Sequence, residues 1–594
     1  MTQKRFRIFA WALFILLLGY LLLRAAFVSP SHDEIATFFF YIYHGDYYGD
    51  TIVLDANNHL LNSFIGHEIL YPLVKDNFFW LRFPNILAFC LWFWSSYKLS
   101  LFYSKNSLRF LTLVALNSVP LLMEYFAYTR GYGLSLAFFL CFLFQVTKWM
   151  QAYELKRLIY ACGALLLAVS ANLTFINTGL LFIAFCVIFI LLNRQKLVDS
   201  LWKYWLLLIL FSLSLLPFIS FSLKLKDAGA LYYGAADGIW DVTGRSLSNY
   251  ALFDDGWLAA IVVGSAITFI LFVLFRQILK KGSIFLQQVY VFPLFLFVGN
   301  LIGIVALAVL LDVNYPEDRT AFYLIPLFIL LFSHSLDQIN GKWIHVQWVY
   351  LFFPLSFFLH MSLKTSVFSP DDRMNDSFYK KTKAAIKPEH SLMIYHIMLW
   401  NWPRHESYSP VKSSYYNSNN SNSILTDIIV RKTNMPTNPM IPKLYDTIAV
   451  DPSTYYISYK RKKPVSKQLL LESRDTTFKS NAEYGLIWEF DPLPKINGGP
   501  AMLTVKGHLN TYTDYNKLHL VVQTVDTNEQ MVDYWYYPFE TVFHGQKIDE
   551  SFEHQFLIEN LDLNETKVKV YIWNRKLMDF KVTGGKCYLY QIKP

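Results

Sequence analysis

Charge is what this sequence has least of. Asp, Glu, Lys and Arg make up 16% of its 594 residues, against about 25% in an ordinary soluble domain. That shortage excludes a chain built only of solvated globular domains. Cysteine is scarce too. Of five, Cys90, Cys141, Cys162 and Cys186 lie in apolar runs, and Cys587 stands alone in the polar C-terminal part. A lone thiol excludes a disulfide within that part, and no Cys-x-x-Cys pair offers metal ligands. No Gly-x-Gly-x-x-Gly turn occurs, so the backbone cradle of a nucleotide-sugar site is missing. Ionisable residues are also nearly absent from the centres of the apolar runs, where a proton- or ion-coupled transporter needs its relays.

What is there is apolar and aromatic: 54% of the residues are hydrophobic, and 18% are Phe, Trp or Tyr. Long apolar runs fill the chain to about residue 362. Beyond it the sequence is rich in Lys, Asp, Asn, Ser and Tyr. A membrane part followed by a water-soluble part is the simplest reading. The net charge of +9 does not imply nucleic acid, because the basic residues sit in short clusters between apolar runs, where membrane topology explains them.

A bilayer span needs about 20 apolar residues. Candidates fall near 6–28, 79–98, 108–127, 131–150, 158–174, 176–193, 202–223, 257–276, 285–311, 319–335 and 343–361, about eleven in all. The first run is longer than a signal-peptide core and "RAAFVSP" is a poor cleavage site, so it reads as an uncleaved span. Lys4, Arg5 and Arg7 place the N-terminus in the cytoplasm, and alternate loops are basic as the positive-inside rule requires. The soluble part then emerges on the outer side, as does the segment after the first span.

Within the soluble part, 363–478 reads as a mixed α/β region and 479–594 as a β-sandwich, to which a jelly roll is suited. The strand-like runs are "GLIWEF", "AMLTVKGHL", "KLHLVVQTV", "MVDYWYYPF", "HQFLIENL", "KVKVYIWN" and "KCYLYQI". Trp488, Trp535, Tyr536 and Trp573 are either core residues or platforms for a glycan, which would make the module carbohydrate-binding. "SSYYNSNNSNS" is a low-complexity loop or a lid.

Chemistry-bearing residues gather in the loops expected on one face: Asp33 and Glu34 in "SHDE", Asn57, Asn58 and His59 in "LDANNHLLN", Arg82 in "LRFPN", Arg130 in "YTRGYGLS" and Arg319 in "YPEDRTAF". A carboxylate at an interface serves as general base if it reaches a substrate hydroxyl. Arginines bind phosphate through planar, permanently charged forks. Each residue also has a plainer role. Asp-Glu after a span caps a helix, His59 bonds within a loop, Arg82 and Arg130 snorkel, and Arg319 pairs with Glu317 or Asp318.

In their order along the chain, "HDE", "NNHLLNSFI", "WLRFPNIL", "YTRGYGLSL" and "YPEDRTAFYLIP" resemble the motifs of the C-type superfamily of membrane glycosyltransferases, relatives of protein O-mannosyltransferase and lipid A aminoarabinose transferase among them. The likeness covers roughly the first 360 residues. "NNHLL" departs from it in lacking the proline often found after the histidine. The resemblance implies a polytopic α-helical membrane protein of glycosyltransferase C-type fold in a cell inner membrane. It implies sugar transfer from a polyprenyl-phosphate-linked donor, by inversion, to a glycan, lipid or protein hydroxyl, with no nucleic acid involved. By the same resemblance Asp33 is the general base, and Glu34 positions the acceptor or supports Asp33. Arg82, Arg130 and Arg319 hold the donor phosphate, and Asn58 and His59 orient the substrate. A divalent metal near the carboxylates is compatible with the sequence but not demanded by it. Two other readings stay open: an enzyme that moves a whole oligosaccharide, and a protein that binds or flips a lipid-linked glycan without catalysis.

Overall fold

The computed structural model describes residues 3–48, 54–197, 201–281, 288–339, 341–395, 401–409, 415–418, 423–490, 499–512, 518–539, 547–561, 565–575 and 577–593. They fall into two compact units. One comprises Met1–Val28 with Ala36–Phe368, the other Ser29–Ile35 with Ser369–Pro594.

The first unit is helical, as its apolar runs dictate, and the protein is a polytopic membrane protein. Six helices are long and apolar enough to cross a bilayer: Gln3–Phe27, Gly131–Ala152, Leu173–Leu192, Leu201–Asp227, Trp257–Lys280 and Val291–Leu311. Phe78–Ser100, with 23 residues, carries Arg82, Pro84 and Lys98 and starts at Asn77, whose side chain accepts from the Phe79 N–H at 3.1 Å. Three expected spans differ from a plain helix. The run at 108–127 divides into Asn106–Leu116 and Pro120–Tyr125. Pro120 lacks the N–H that would continue the first helix and instead opens the second. The run at 319–335 becomes α-helical only at Leu324 and ends at Asp337 after 14 residues, a rise of about 21 Å against a hydrocarbon core of about 30 Å. The run at 343–361 begins with the tighter 3₁₀ winding over Gly341–Leu351 before Phe352–His360 turns α.

Polar atoms within this unit are tied to one another. Arg24, in the last turn of the first helix, is fully buried 2.8 Å from Glu124. It also donates to the Ser362 carbonyl at 2.6 Å. Glu124 accepts from the hydroxyls of Tyr128 (3.0 Å) and Ser366 (2.7 Å) and from the Val367 N–H (3.2 Å). One ion pair therefore joins three stretches far apart in sequence.

The second unit is β-rich. Strands β1 (Leu392–Tyr395), β2 (Tyr416–Ser418), β3 (Ile428–Lys432), β4 (Tyr445–Asp451) and β5 (Tyr456–Arg461) form a mixed sheet in the order β2-β1-β3-β5-β4. Pairing is parallel on both sides of β1 and antiparallel on both sides of β5. Most of the Ser/Asn-rich stretch flanking β2 lies outside the described residues.

Strands β6 (Ser466–Glu472), β7 (Thr476–Ser480), β8 (Tyr484–Phe490), β9 (Gly499–Thr511), β10 (Leu518–Asp526), β11 (Met531–Pro538), β12 (Asp549–Leu561), β13 (Glu565–Asn574) and β14 (Phe580–Lys593) build two antiparallel sheets. Their orders are β11-β10-β13-β8 and β12-β9-β14-β6, with β7 also on β14. Read with β7 as the first strand, this is the strand order of a jelly roll. The apolar alternation of each strand supplies the core: Leu518, Leu520 and Val522 of β10 share it with Leu503 and Val505 of β9 and with Val582 and Leu589 of β14. The same alternation sorts the four tryptophan and tyrosine platform candidates. Trp488 and Trp535 pack against this core, whereas Tyr536 is exposed and Trp573 half-exposed.

Candidate functional site

The acidic pair belongs to the second unit, and its two members do different things. Ser31 and Glu34 form a reciprocal capping box: the Ser31 hydroxyl accepts from the Glu34 N–H at 3.2 Å, and the Glu34 carboxylate accepts from the Ser31 N–H at 2.9 Å. Glu34 is fully buried and lies 3.5 Å from the Arg373 guanidinium, itself buried and bonded to the Ser29 carbonyl. Asp33 is half-buried. Glu34 is thus engaged in shaping the turn, from which the half-buried Asp33 is presented. Arg373 is 339 residues from Glu34, so no local sequence signal could have paired them.

The remaining residues belong to the helical unit. Arg82 is buried, and one of its terminal nitrogens donates to the carbonyls of Ala25 (3.0 Å) and Val28 (2.7 Å). These lie at the end of the first helix, where backbone carbonyls have no helical partner. Asn85, one turn on, caps the helix that begins at Gly131: its side-chain oxygen accepts from the Leu134 N–H at 3.0 Å, and its amide donates to Asn62 at 3.1 Å. "LRFPN" thus anchors backbone in two places.

Arg130 is buried, donates to Asn57 and to Thr37 Oγ1 (3.4 Å), and lies 5.5 Å from the centre of the Tyr132 ring. Asn58 bonds the Tyr47 carbonyl at 2.6 Å and accepts from Ser63 at 2.7 Å. His59 Nδ1 bonds the Ala171 carbonyl at 2.8 Å, and its ring meets Tyr132 edge-on at 4.4 Å. Close packing here depends on two absent side chains. A Cβ on Gly131 would lie 2.1 Å from the Ala171 carbonyl oxygen and 2.7 Å from His59 Cβ, and one on Gly133 2.7 Å from Asn85 Oδ1.

Arg319 is half-buried, with its guanidinium 5.1 Å from the centre of the Tyr233 ring. The Tyr233 hydroxyl donates to Asp318 at 2.9 Å. Burial pushes the Tyr233 phenol well above its ordinary range, against the pull of Arg319, so it stays a protonated donor. The neighbouring Tyr232 hydroxyl donates to Asp55 at 3.2 Å, and Asp55 in turn accepts from the Asn57 N–H at 2.8 Å. Three loops of the helical unit, around 54–59, 230–238 and 312–320, are thereby linked. Arg130 and His59 both meet the Tyr132 ring, which packs with Tyr125 and Phe322, while Arg319 lies over Tyr233. Arg82 gives one of its nitrogens to backbone carbonyls. Sequence reasoning did not single out Asp55, Tyr132 or Tyr233, and it read Asp318 only as a pairing partner of Arg319. A Tyr-Tyr pair in a polar loop and a Tyr between two glycines at a helix start were the available signals. Among the described residues no group of three or more His, Cys, Asp and Glu side chains could hold a metal ion.

No family model matches the chain, and no curated protein matches it. Among solved structures it is similar to ArnT from Cupriavidus metallidurans. The apo form gives 11% identity and a TM-score of 0.42, over 75% of this chain and 97% of that one. The form bound to undecaprenyl phosphate gives 10% and 0.46, over 77% and 98%. Arabinosyltransferase EmbB from Mycobacterium smegmatis gives 9% and 0.38, over all of this chain and 65% of that one. These superpositions are loose, and the chemistry has to be read from the site's own residues.

Proposed function

We propose that the protein is a membrane glycosyltransferase that moves a sugar from a polyprenyl-phosphate-linked donor to an acceptor hydroxyl on the outer face of a cell inner membrane. What supports this reading is a series of polar contacts in the loops beside membrane-length helices: Arg130 with Asn57, Asp55 with Asn57 and Tyr232, and the next residue, Tyr233, with Asp318 and under Arg319. A phosphate whose lipid tail stays in the bilayer must be met where helices give way to loops. Arginine is the side chain suited to a phosphate that gains charge as a sugar departs.

Asp33 is the base: it takes the acceptor's proton as the hydroxyl oxygen bonds to the anomeric carbon and the carbon–oxygen bond to phosphate breaks, with inversion. Glu34 fixes the turn that presents Asp33. Arg319 and Arg130 face the leaving phosphate, and Asn58 and His59 shape the site around it. Arg82 acts at one remove, by holding the carbonyls that lead into the Asp33 segment.

The test is transfer by the purified full-length protein in nanodiscs, offered a panel of radiolabelled polyprenyl-phosphate sugars and hydroxyl acceptors. Asp33→Asn keeps the shape and removes the base, and a loss of about 10²-fold or more is expected. Equal transfer by both proteins would reject Asp33 as the base. The mass added to the acceptor separates single-sugar transfer from transfer of a preassembled oligosaccharide. Binding of undecaprenyl phosphate without turnover of any donor would favour a protein that carries lipid-linked glycans.

A further inference from the structure

We propose that Tyr233, held by Asp318, is the positioning residue that aims Arg319 at the lipid-linked phosphate. The inference rests on the glycosyl-transfer reading above and adds to it Tyr233, which no motif in the sequence marks, and a role for Asp318.

Stacking occupies the flat face of a guanidinium. Its five N–H donors lie in its plane and point away from the ring beneath. An arginine laid on a tyrosine therefore loses freedom of orientation while keeping a fork directed sideways, the geometry a phosphate takes. The Arg319 guanidinium carbon lies over the Tyr233 ring, 5.1 Å from its centroid.

The ring is itself fixed. Its hydroxyl donates to Asp318 at 2.9 Å, and Asp318 is also bonded by the Tyr250 hydroxyl. Asp318 adopts a left-handed backbone conformation, φ 51°, uncommon for a residue with a side chain, and its N–H donates to Ser246 Oγ at 2.9 Å. The strand of backbone carrying Tyr233 is pinned from the other side. Asn314 donates to the carbonyls of Tyr232 (3.0 Å) and Gly234 (3.1 Å), and the Tyr315 N–H to the Ala235 carbonyl at 2.9 Å. Gly234, at φ +102°, permits this approach, since a Cβ there would lie 2.1 Å from the Tyr315 carbonyl oxygen. The Asp318 carboxylate is bonded by two phenols, Tyr233 and Tyr250, and so holds the ring that lies under Arg319.

The experiment measures the affinity of undecaprenyl phosphate for the full-length protein in nanodiscs, with neutral undecaprenol as the control ligand. Arg319→Ala should weaken phosphate-lipid binding by more than about tenfold and leave undecaprenol binding unchanged. Tyr233→Leu removes the platform and should weaken it by about tenfold, whereas Tyr233→Trp keeps an aromatic face and should stay within about twofold of the parent. Asp318→Asn, which loosens the ring without removing it, should lie between them. Adding Tyr233→Leu to Arg319→Ala should do nothing more, because Tyr233 acts through Arg319. If Arg319→Ala weakens binding and Tyr233→Leu does not, the positioning role is overturned and the transfer reading stands. The same holds if the two effects add in the double variant, or if the Trp variant fails as badly as the Leu variant at an unchanged melting temperature. If Arg319→Ala binds like the parent, the phosphate assignment falls, and the positioning role with it.

Discussion

Arg82 and Arg319 stand in two regions of the same helical unit, and their surroundings differ in kind. Arg82 lies at 1% exposure among the first helix, its carbonyl ends and the helix Phe78–Ser100, giving one nitrogen to two backbone oxygens. Arg319 lies in a loop, half-buried, with a tyrosine face beneath it and a carboxylate steadying that tyrosine. Both lie beside apolar runs, and both read in sequence as phosphate ligands. What separates them is the supply of orphan carbonyls. A helix that ends inside protein must have its last carbonyls satisfied, and an arginine close by is drawn into that duty. Arg24 and Arg373 extend the first class: each is buried and bonded to a backbone carbonyl and a glutamate.

That contrast can be broken most forcefully at Arg24. Arg24→Met leaves Glu124 buried without its cation, and a loss of about 3–5 kcal/mol is expected, read as a lower denaturation midpoint in nanodiscs. Restoring the match with Glu124→Gln in the same chain should return part of it. If Arg24→Met unfolds like the parent, buried arginines here are not anchors. Arg319→Ala should do the opposite: melting within about 1 °C of the parent, but transfer reduced about 100-fold, some 2.7 kcal/mol at 1.36 kcal/mol per tenfold.

The soluble unit offers a third contrast, with a buried base that carries no charge. His554 lies against Tyr537 at 3.9 Å between ring centres and against Phe556 at 4.6 Å. Burial lowers it from 6.5 to about 3. Its folded form holds off a proton that the unfolded chain accepts, so stability is full above about pH 6.5 and falls as pH drops toward 3. The slope is about 1.4 kcal/mol per pH unit, or about 2 kcal/mol by pH 5. Unfolding of the β-rich unit followed between pH 7.5 and 5 should show this dependence, and His554→Gln should flatten it. The smallest effect is expected at Arg82. Arg82→Lys keeps a cation within reach of the two carbonyls and should cost about 1 kcal/mol, with transfer changed less than by Arg319→Lys. A larger fall in donor affinity for Arg82→Lys than for Arg319→Lys would reverse the assignment of the two.

The fold was legible wherever periodicity decided it. The apolar runs became helices, and each strand-like run from Gly485 onward became a jelly-roll strand, because alternation names the buried face without help from distant residues. The exceptions are local: Pro120 breaks a run that hydropathy alone joins, and 14 residues ending at Asp337 are apolar enough for a span but too few. At the site, residue types were legible and partners were not. Asp33 and Glu34 are adjacent and chemically alike, yet nothing in that pair shows that the serine three residues before Glu34 and an arginine near residue 370 bind Glu34. Nothing near Arg82 in the sequence shows that Ala25 and Val28 take its donors. Contacts between residues far apart in the chain, not side-chain chemistry, divide anchors from ligands.

Gly131 and Gly133 bear on how such a chain would be recognised among distant relatives. The string Arg-Gly-Tyr-Gly looks like a signature of substrate contact. Two of its four letters record how nearly a carbonyl from one helix end, an imidazole and an asparagine approach the start of another helix. A profile that weights those glycines heavily would be measuring interhelical distance. It would retrieve proteins with the same tight junction whether or not they share a substrate, and the residues that distinguish substrates would have to be sought in the loops that such a profile scores least.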